Sequence, residues 1–105
     1  MKNVYINYLD FYLPTNVEKN INILNTTKKK PAEIQEMISK IGIESRRISS
    51  SNQFSTDLAI LSAKKVIKKI NKKKINFLVY CTNTPDFLLP SNSCIIHNKL
   101  NLEKN

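Results

Sequence analysis

Apolar residues are spaced with two different periods along this chain, and the switches between them mark its elements. Residues 4–13 are dense in β-formers, Val4, Ile6, Tyr8, Phe11, Tyr12 and Leu13. They run into Pro14, which has no amide proton to continue a ladder, so the pattern predicts a strand that stops there. Residues 16–30 show no regular period. Ile21, Ile23 and Leu24 are available for packing, but Asn25-Thr-Thr-Lys-Lys-Lys30 reads as a solvated loop. From Pro31 the spacing becomes helical, with Ile34, Met37, Ile38 and Ile41 on one face. Pro31 suits the first helical position, Glu33 the first turn, and Gly42, the sole glycine, the left-handed C-cap.

After a Ser-rich turn at residues 49–52, a longer helix is predicted. Ser55 or Thr56 can cap it, Asp57 suits the positive end of its dipole, and Ala59, Ala63, Val66, Ile67 and Ile70 form an apolar face. Lys64, Lys65, Lys68 and Lys69 fall largely opposite and read as a solvated exterior. Ile75-Asn-Phe-Leu-Val-Tyr-Cys81 is a nearly continuous apolar run, the mark of a strand covered on both faces. A Pro-punctuated loop leads to a last helix over residues 91–102, with Ser91 as cap and Cys94, Ile95, Ile96 and Leu100 available for burial. Helix followed by buried strand argues for an α/β layered fold. Neither an internal repeat nor a second domain is evident.

Composition narrows the function classes. Hydrophobic content of 41% and charged content of 24% are ordinary for a globular chain. A net charge of +9 raises the possibility of a polyanionic partner, with a nucleic-acid surface around residues 64–74 as one reading. Against it, arginine occurs only as Arg46 and Arg47, whereas nucleic-acid surfaces favour Arg forks interleaved with stacking aromatics. The Lys, Asn and Ile excess fits AT-rich codon usage, and a basic surface equally suits an acidic protein. No apolar run approaches the roughly 18 residues of a membrane span, and no signal peptide is visible, so a cytoplasmic location is expected. Cys81 and Cys94 have no disulfide or zinc spacing and are expected to be reduced; no metal and no cofactor are expected.

Four blocks, in order, carry a family resemblance: Tyr12-Leu-Pro14, Gly42-Ile-Glu-Ser-Arg-Arg-Ile48, Asp57-Leu-Ala59 and Thr82-Asn-Thr-Pro-Asp-Phe-Leu-Leu-Pro-Ser-Asn-Ser-Cys94. Together they resemble the N-terminal part of the β-ketoacyl-acyl-carrier-protein synthases III, condensing enzymes of the thiolase fold. The resemblance implies a single incomplete α/β domain over residues 1–105, with layered helices on a mixed sheet, from a protein that usually assembles as a homodimer. It also implies acyltransfer in fatty-acid or related biosynthesis: an acyl thioester, from coenzyme A or another donor, is condensed with malonyl carrier protein through an acyl-cysteine. The nucleophilic Cys and its His and Asn partners lie on later family segments, so no catalytic residue is expected here and the chain alone is expected to be inactive.

The same resemblance assigns substrate contact to Lys40 and Leu89. Lys40 stands where coenzyme-A-binding relatives often place Arg, and Glu36 where they place Trp, so recognition of coenzyme A is weakened. Leu89 stands where a bulky apolar residue crosses the dimer to shape the partner's acyl pocket; plain interface packing is the competing role. Arg46 and Arg47 are candidates for docking an acidic carrier protein. Cys94 and His97, three apart on a helix, share a face and could form a thiolate–imidazole pair. A small buried Cys and a structural His is the preferred reading, and Cys81 is likewise expected to be buried and inert. A non-catalytic piece that binds carrier protein or a condensing-enzyme partner is the alternative function; neither membrane nor nucleic acid is expected as a partner.

Overall fold

The computed structural model describes residues 3–24 and 26–103. They fall into two separate units, Leu13–Asn52 and Met1–Tyr12 with Gln53–Asn105.

In the Leu13–Asn52 unit, helix α2 spans Pro31–Ile41 as its punctuation predicts. Pro31 takes the position where a missing N–H costs nothing, and Gly42 closes the helix at φ 68° while donating its N–H to Ile38 O at 2.9 Å. Ile34 is the buried residue of its apolar face. Residues 16–24, for which the sequence shows no regular period, form strand β1, Asn16–Lys19, and a short helix α1, Asn20–Leu24, and the loop expected at 25–30 is present over its described residues 26–30. Strand β1 pairs antiparallel with β2, Ser45–Ile48, in the register Asn16↔Ile48 to Lys19↔Ser45. Both strands lie largely open to solvent, so no alternation of apolar residues announces them. What holds the ribbon is a polar hub. Asn20 is buried; its N–H donates to Glu44 O at 2.8 Å and its Nδ2 to Ile43 O. Its Oδ1 accepts from Arg46 Nε and Nη2 at 2.9 and 2.6 Å.

The other unit is organised by two helices, α3 at Ser55–Ile67 and α4 at Asn92–Lys99. Ile60 of α3 meets Ile96, Leu100 and Leu102 in a small core, against which Ala59, Ala63, Ile67, Ile75, Leu78 and Tyr80 pack. Neither Ser55 nor Thr56 is the N-cap of α3. They are its first two residues, and the acceptor for their amides comes from Asp86 in the loop before α4. Asp86 Oδ1 accepts from Ser55 N and Oγ at 3.1 and 2.7 Å, and Oδ2 accepts from Thr56 N at 3.3 Å and from Thr56 Oγ1. Asp57 Oδ2 meanwhile accepts from Phe54 N at 2.9 Å. Together the two carboxylates satisfy the donors that a helix start leaves open.

The two predicted strands are corrected by the structure. Neither residues 4–13 nor residues 75–81 carry a strand among the described residues, because a strand exists only where a neighbouring ladder takes up its backbone donors and acceptors. Residues 77–81 still alternate with the two-residue period of an extended chain, and Ile75 falls outside that alternation. Ile75, Leu78 and Tyr80 lie against the helical core, while Phe77 and Val79 are 89% and 87% exposed. Cys81, on the bare side with them, is exposed rather than buried. Residues 10–11 are held along α3: Ser62 Oγ donates to Asp10 O at 3.2 Å, and Lys65 Nζ donates to Phe11 O at 2.8 Å. Lys65 and Lys69 also approach the Asp10 carboxylate at 3.6 and 3.4 Å. The Phe11 amide and these two ammonium groups hold the Asp10 carboxyl below its usual pKa, against a smaller opposing effect of burial.

Two outcomes test these joints. Replacing Asn20 with Ala leaves the Arg46 guanidinium and Ile43 carbonyl without their partner, so hydrogen-exchange protection of the β1–β2 amides falls by about 1–3 kcal/mol; unchanged protection would remove the hub. Burial pushes the Asp86 carboxyl up, but the hydroxyls of Thr56 and Ser55 and their amides outweigh it, and its pKa is lowered from 3.8. A lowered folded-state value means stabilisation that is complete above 3.8 and lost as pH falls through the folded-state value. Asp86→Ala therefore costs about 1 kcal/mol at neutral pH. The difference from the parent, read by circular dichroism during urea unfolding, closes once the carboxyl is protonated.

Candidate functional site

The chemistry-bearing side chains of the larger unit gather around α4 and the loop that enters it. That loop runs from Thr82 through Pro85 and Asp86 to Leu89-Pro90, and the Asp86 tie to α3 fixes its middle. Phe87 and Leu88 leave the tie pointing outward and, with Tyr80, Thr82, Pro85, Ser91, Asn92 and Ser93, enclose a cavity of about 250 Å³. Ser91 occupies the N-cap position of α4 as predicted, but its hydroxyl is turned to Ser93 Oγ at 2.9 Å and Cys94 Sγ at 3.2 Å. The first residue of the helix, Asn92, is only 6% exposed. Both atoms of its amide are buried with no hydrogen-bond partner among the described residues.

Cys94 and His97 do share a face of α4, and with Asn76, Phe77, Leu78, Ser93 and Asn98 they line an open cavity of about 370 Å³. The structure does not join them. His97 Nε2 lies 3.3 Å from Glu103 O, and the hydroxyl at the sulfur is that of Ser91. Cys94 is exposed, contrary to the buried thiol expected. The reason is geometric: of the nearby α4 residues only Asn92, Ile96 and Leu100 reach the buried side, and Cys94 lies on the opposite side of the helix.

The four residues assigned to substrate and partner contact are divided between the two units. Leu89, in the loop before α4, is 85% exposed. The other three belong to the Leu13–Asn52 unit. Lys40, one residue before the end of α2, is paired 2.6 Å from Glu36 Oε1, one turn back on the same exposed face. Arg46 is committed to Asn20, and Arg47 Nη1 donates to Thr15 O at 3.0 Å and Pro14 O at 3.3 Å. Those guanidinium groups brace β1 against β2 while remaining at the surface. Sequence reasoning missed Asp86 as a helix-binding carboxylate, Asn20 as a hub and Asn92 as a buried amide. A polar residue beside a Pro, as in Pro85-Asp86, is the sole local hint among them.

Comparison with known proteins places these features in context. No family model matches the chain. A β-ketoacyl-[acyl-carrier-protein] synthase III from Fusobacterium nucleatum subsp. nucleatum is 31% identical over 106 residues, covering 99% of this chain and 31% of that protein. Among solved structures, a 3-oxoacyl-(acyl-carrier protein) synthase from Burkholderia xenovorans LB400 superposes with a TM-score of 0.74 over 87% of this chain and 26% of its own, at 18% identity. A 3-oxoacyl-(acyl-carrier-protein) synthase III superposes with a TM-score of 0.70 over 91% of this chain and 28% of its own, at 28% identity. The chain thus spans about a third or less of the length of the relatives it matches. In sequence and in fold, this chain resembles part of a β-ketoacyl-acyl-carrier-protein synthase III, and its architecture is a partial α/β fold of the thiolase-like kind.

Proposed function

We propose that this chain provides one part of a condensing enzyme of the β-ketoacyl-acyl-carrier-protein synthase III type, and that its 105 residues do not by themselves perform the condensation. The observation that carries this reading is the 31% identity running along 99% of the chain against a synthase of that name. In the proposed reaction an enzyme thiolate takes an acyl group from a thioester, and malonyl carrier protein then loses carbon dioxide and attacks the acyl carbonyl. Such a thiolate needs a base or a strong local field to form, and an oxyanion site beside it. Cys94 has a hydroxyl at its sulfur and no imidazole bonded to it, and Cys81 stands on the bare face of an extended segment. Neither setting supplies that activation.

Within this reading Leu89 is the substrate-side position whose side chain is free to reach an acyl chain or a second subunit, consistent with its exposure. Lys40 keeps its charge at the surface beside Glu36 and is the second such position. Arg46 and Arg47 present positive charge to an acidic carrier protein only with whatever donor capacity their own carbonyl and amide partners leave. Assembly as a homodimer belongs to the same proposal.

The test is acyl loading followed by intact-mass analysis. Incubated with an acyl thioester, the native chain is expected to acylate no faster than the urea-unfolded chain, since both thiols are already exposed in the fold. Burst loading of Cys94 or Cys81, followed by release of a 3-oxoacyl product when malonyl carrier protein is added, would overturn the proposal.

A further inference from the structure

Cys94 and His97 stand one turn apart on α4 and line the same open cavity of about 370 Å³, yet each is bonded elsewhere. His97 Nε2 lies 3.3 Å from Glu103 O, and Ser91 Oγ donates to Cys94 Sγ at 3.2 Å. A carbonyl oxygen can only accept, so Nε2 carries the ring proton, and Nδ1 of the neutral imidazole keeps a bare lone pair. A metal-binding histidine has this arrangement, with one ring N–H on a backbone carbonyl and the other nitrogen turned to the ion. Cys94 is exposed and His97 half-buried, so neither has to leave a packed core to act as a ligand. Reach also fits. Side chains three apart on a helix have Cβ atoms about 5–6 Å apart, a span that one ion closes with bonds of about 2.3 Å to sulfur and about 2.1 Å to nitrogen.

We propose that Cys94 Sγ and His97 Nδ1 form a two-residue chelate for a divalent ion of the zinc class. One thiolate and one imidazole select such an ion over Mg²⁺ or Ca²⁺, which take oxygen ligands. As the metal–sulfur bond forms, the thiol proton passes to solvent, and the Ser91 hydroxyl stays in place as a hydrogen-bond donor to the bound sulfur. Thiol–imidazole catalysis needs the two groups within hydrogen-bond reach of each other, whereas a bridging ion needs only that both face one space. Among the described residues no third His, Cys, Asp or Glu gathers with the pair into a larger metal-holding group. The remaining positions of a tetrahedral ion therefore go to water or to a small ligand from solution, and the open cavity gives them room. The result is an exchangeable surface site, unlike a closed structural one. His97 is the chain's only histidine, so Cys81 has no equivalent partner at this spacing.

The experiment is a Co²⁺ titration of the reduced 105-residue chain, followed by the charge-transfer absorption that thiolate-bound cobalt shows. One Co²⁺ per chain is expected, displaced by Zn²⁺ and untouched by about a hundredfold excess of Mg²⁺. Cys94→Ser is expected to abolish the band. Cys81→Ser lies outside the chelate and is expected to leave the affinity within about twofold of the parent. His97→Ala keeps the thiol and is expected to weaken binding at least about tenfold, since losing even an outer partner of a ligand costs that much. A second measurement needs no variant: Zn²⁺ is expected to slow alkylation of Cys94 in the parent chain, read by peptide mapping, while Cys81 keeps its metal-free rate. Absence of the cobalt band, its survival in Cys94→Ser, unchanged affinity in His97→Ala, or equal protection of both thiols would each rule out the chelate.

Discussion

A backbone polar group must find a partner or stay in water, and this constraint decides which parts of the chain become regular structure. Helices α2, α3 and α4 satisfy most of their groups within themselves, so each forms from local signals and then needs only an apolar face to cover. The β1–β2 ribbon forms because two short segments some thirty residues apart supply each other's partners, and Asn20 and Arg46 lock the crossing. Residues 75–81 have a covered face but no ladder among the described residues. They remain an extended segment leaning on Ile60, Ile96 and Leu100.

The sequence was legible where a signal is local. Pro31 and Gly42 mark both ends of α2 because fixed φ and freedom at positive φ are properties of single residues. The α3 face was visible only in part as helical spacing, Ala59, Ala63 and Ile67 packing against the core while its buried residue Ile60 was not among those predicted, and the ordered blocks around Gly42 and Pro85 pointed to the fold that the superpositions support. What stayed hidden was non-local. Nothing in Asn-Val-Glu-Lys announces a strand, since its pairing depends on Ser45–Ile48. The apolar run at residues 75–81 matched a strand covered on both sides, but periodicity reports what a segment is able to bury and not whether a neighbour is there to bury it. The exposure of Cys81 follows from that same gap between capacity and contact, whereas that of Cys94 follows from its side of α4.

Charge is partitioned with a similar dependence on distant residues. Spacing alone groups Lys64, Lys65, Lys68 and Lys69 as one basic stripe, yet a single carboxylate, Asp10, from the far end of the sequence takes one pair and leaves the other with Lys72 and Lys99. The arginines proposed for partner contact also bond main-chain carbonyls and a side-chain amide within their own unit. A surface of net positive charge thus contains both paired lysines and lysines with no acidic residue lining the groove they share.

The bond from Asp86 to the start of α3 also imposes an order in time. A ribosome releases Ser55 and Thr56 some thirty residues before the carboxylate that holds their amides. During that interval the helix has Asp57 at its first turn but lacks its main acceptor, and its first turn frays more readily. Slow codons placed between the two positions would therefore lengthen the life of a half-anchored nascent chain, whereas the residues that start and stop the Pro31–Ile41 helix emerge together with it.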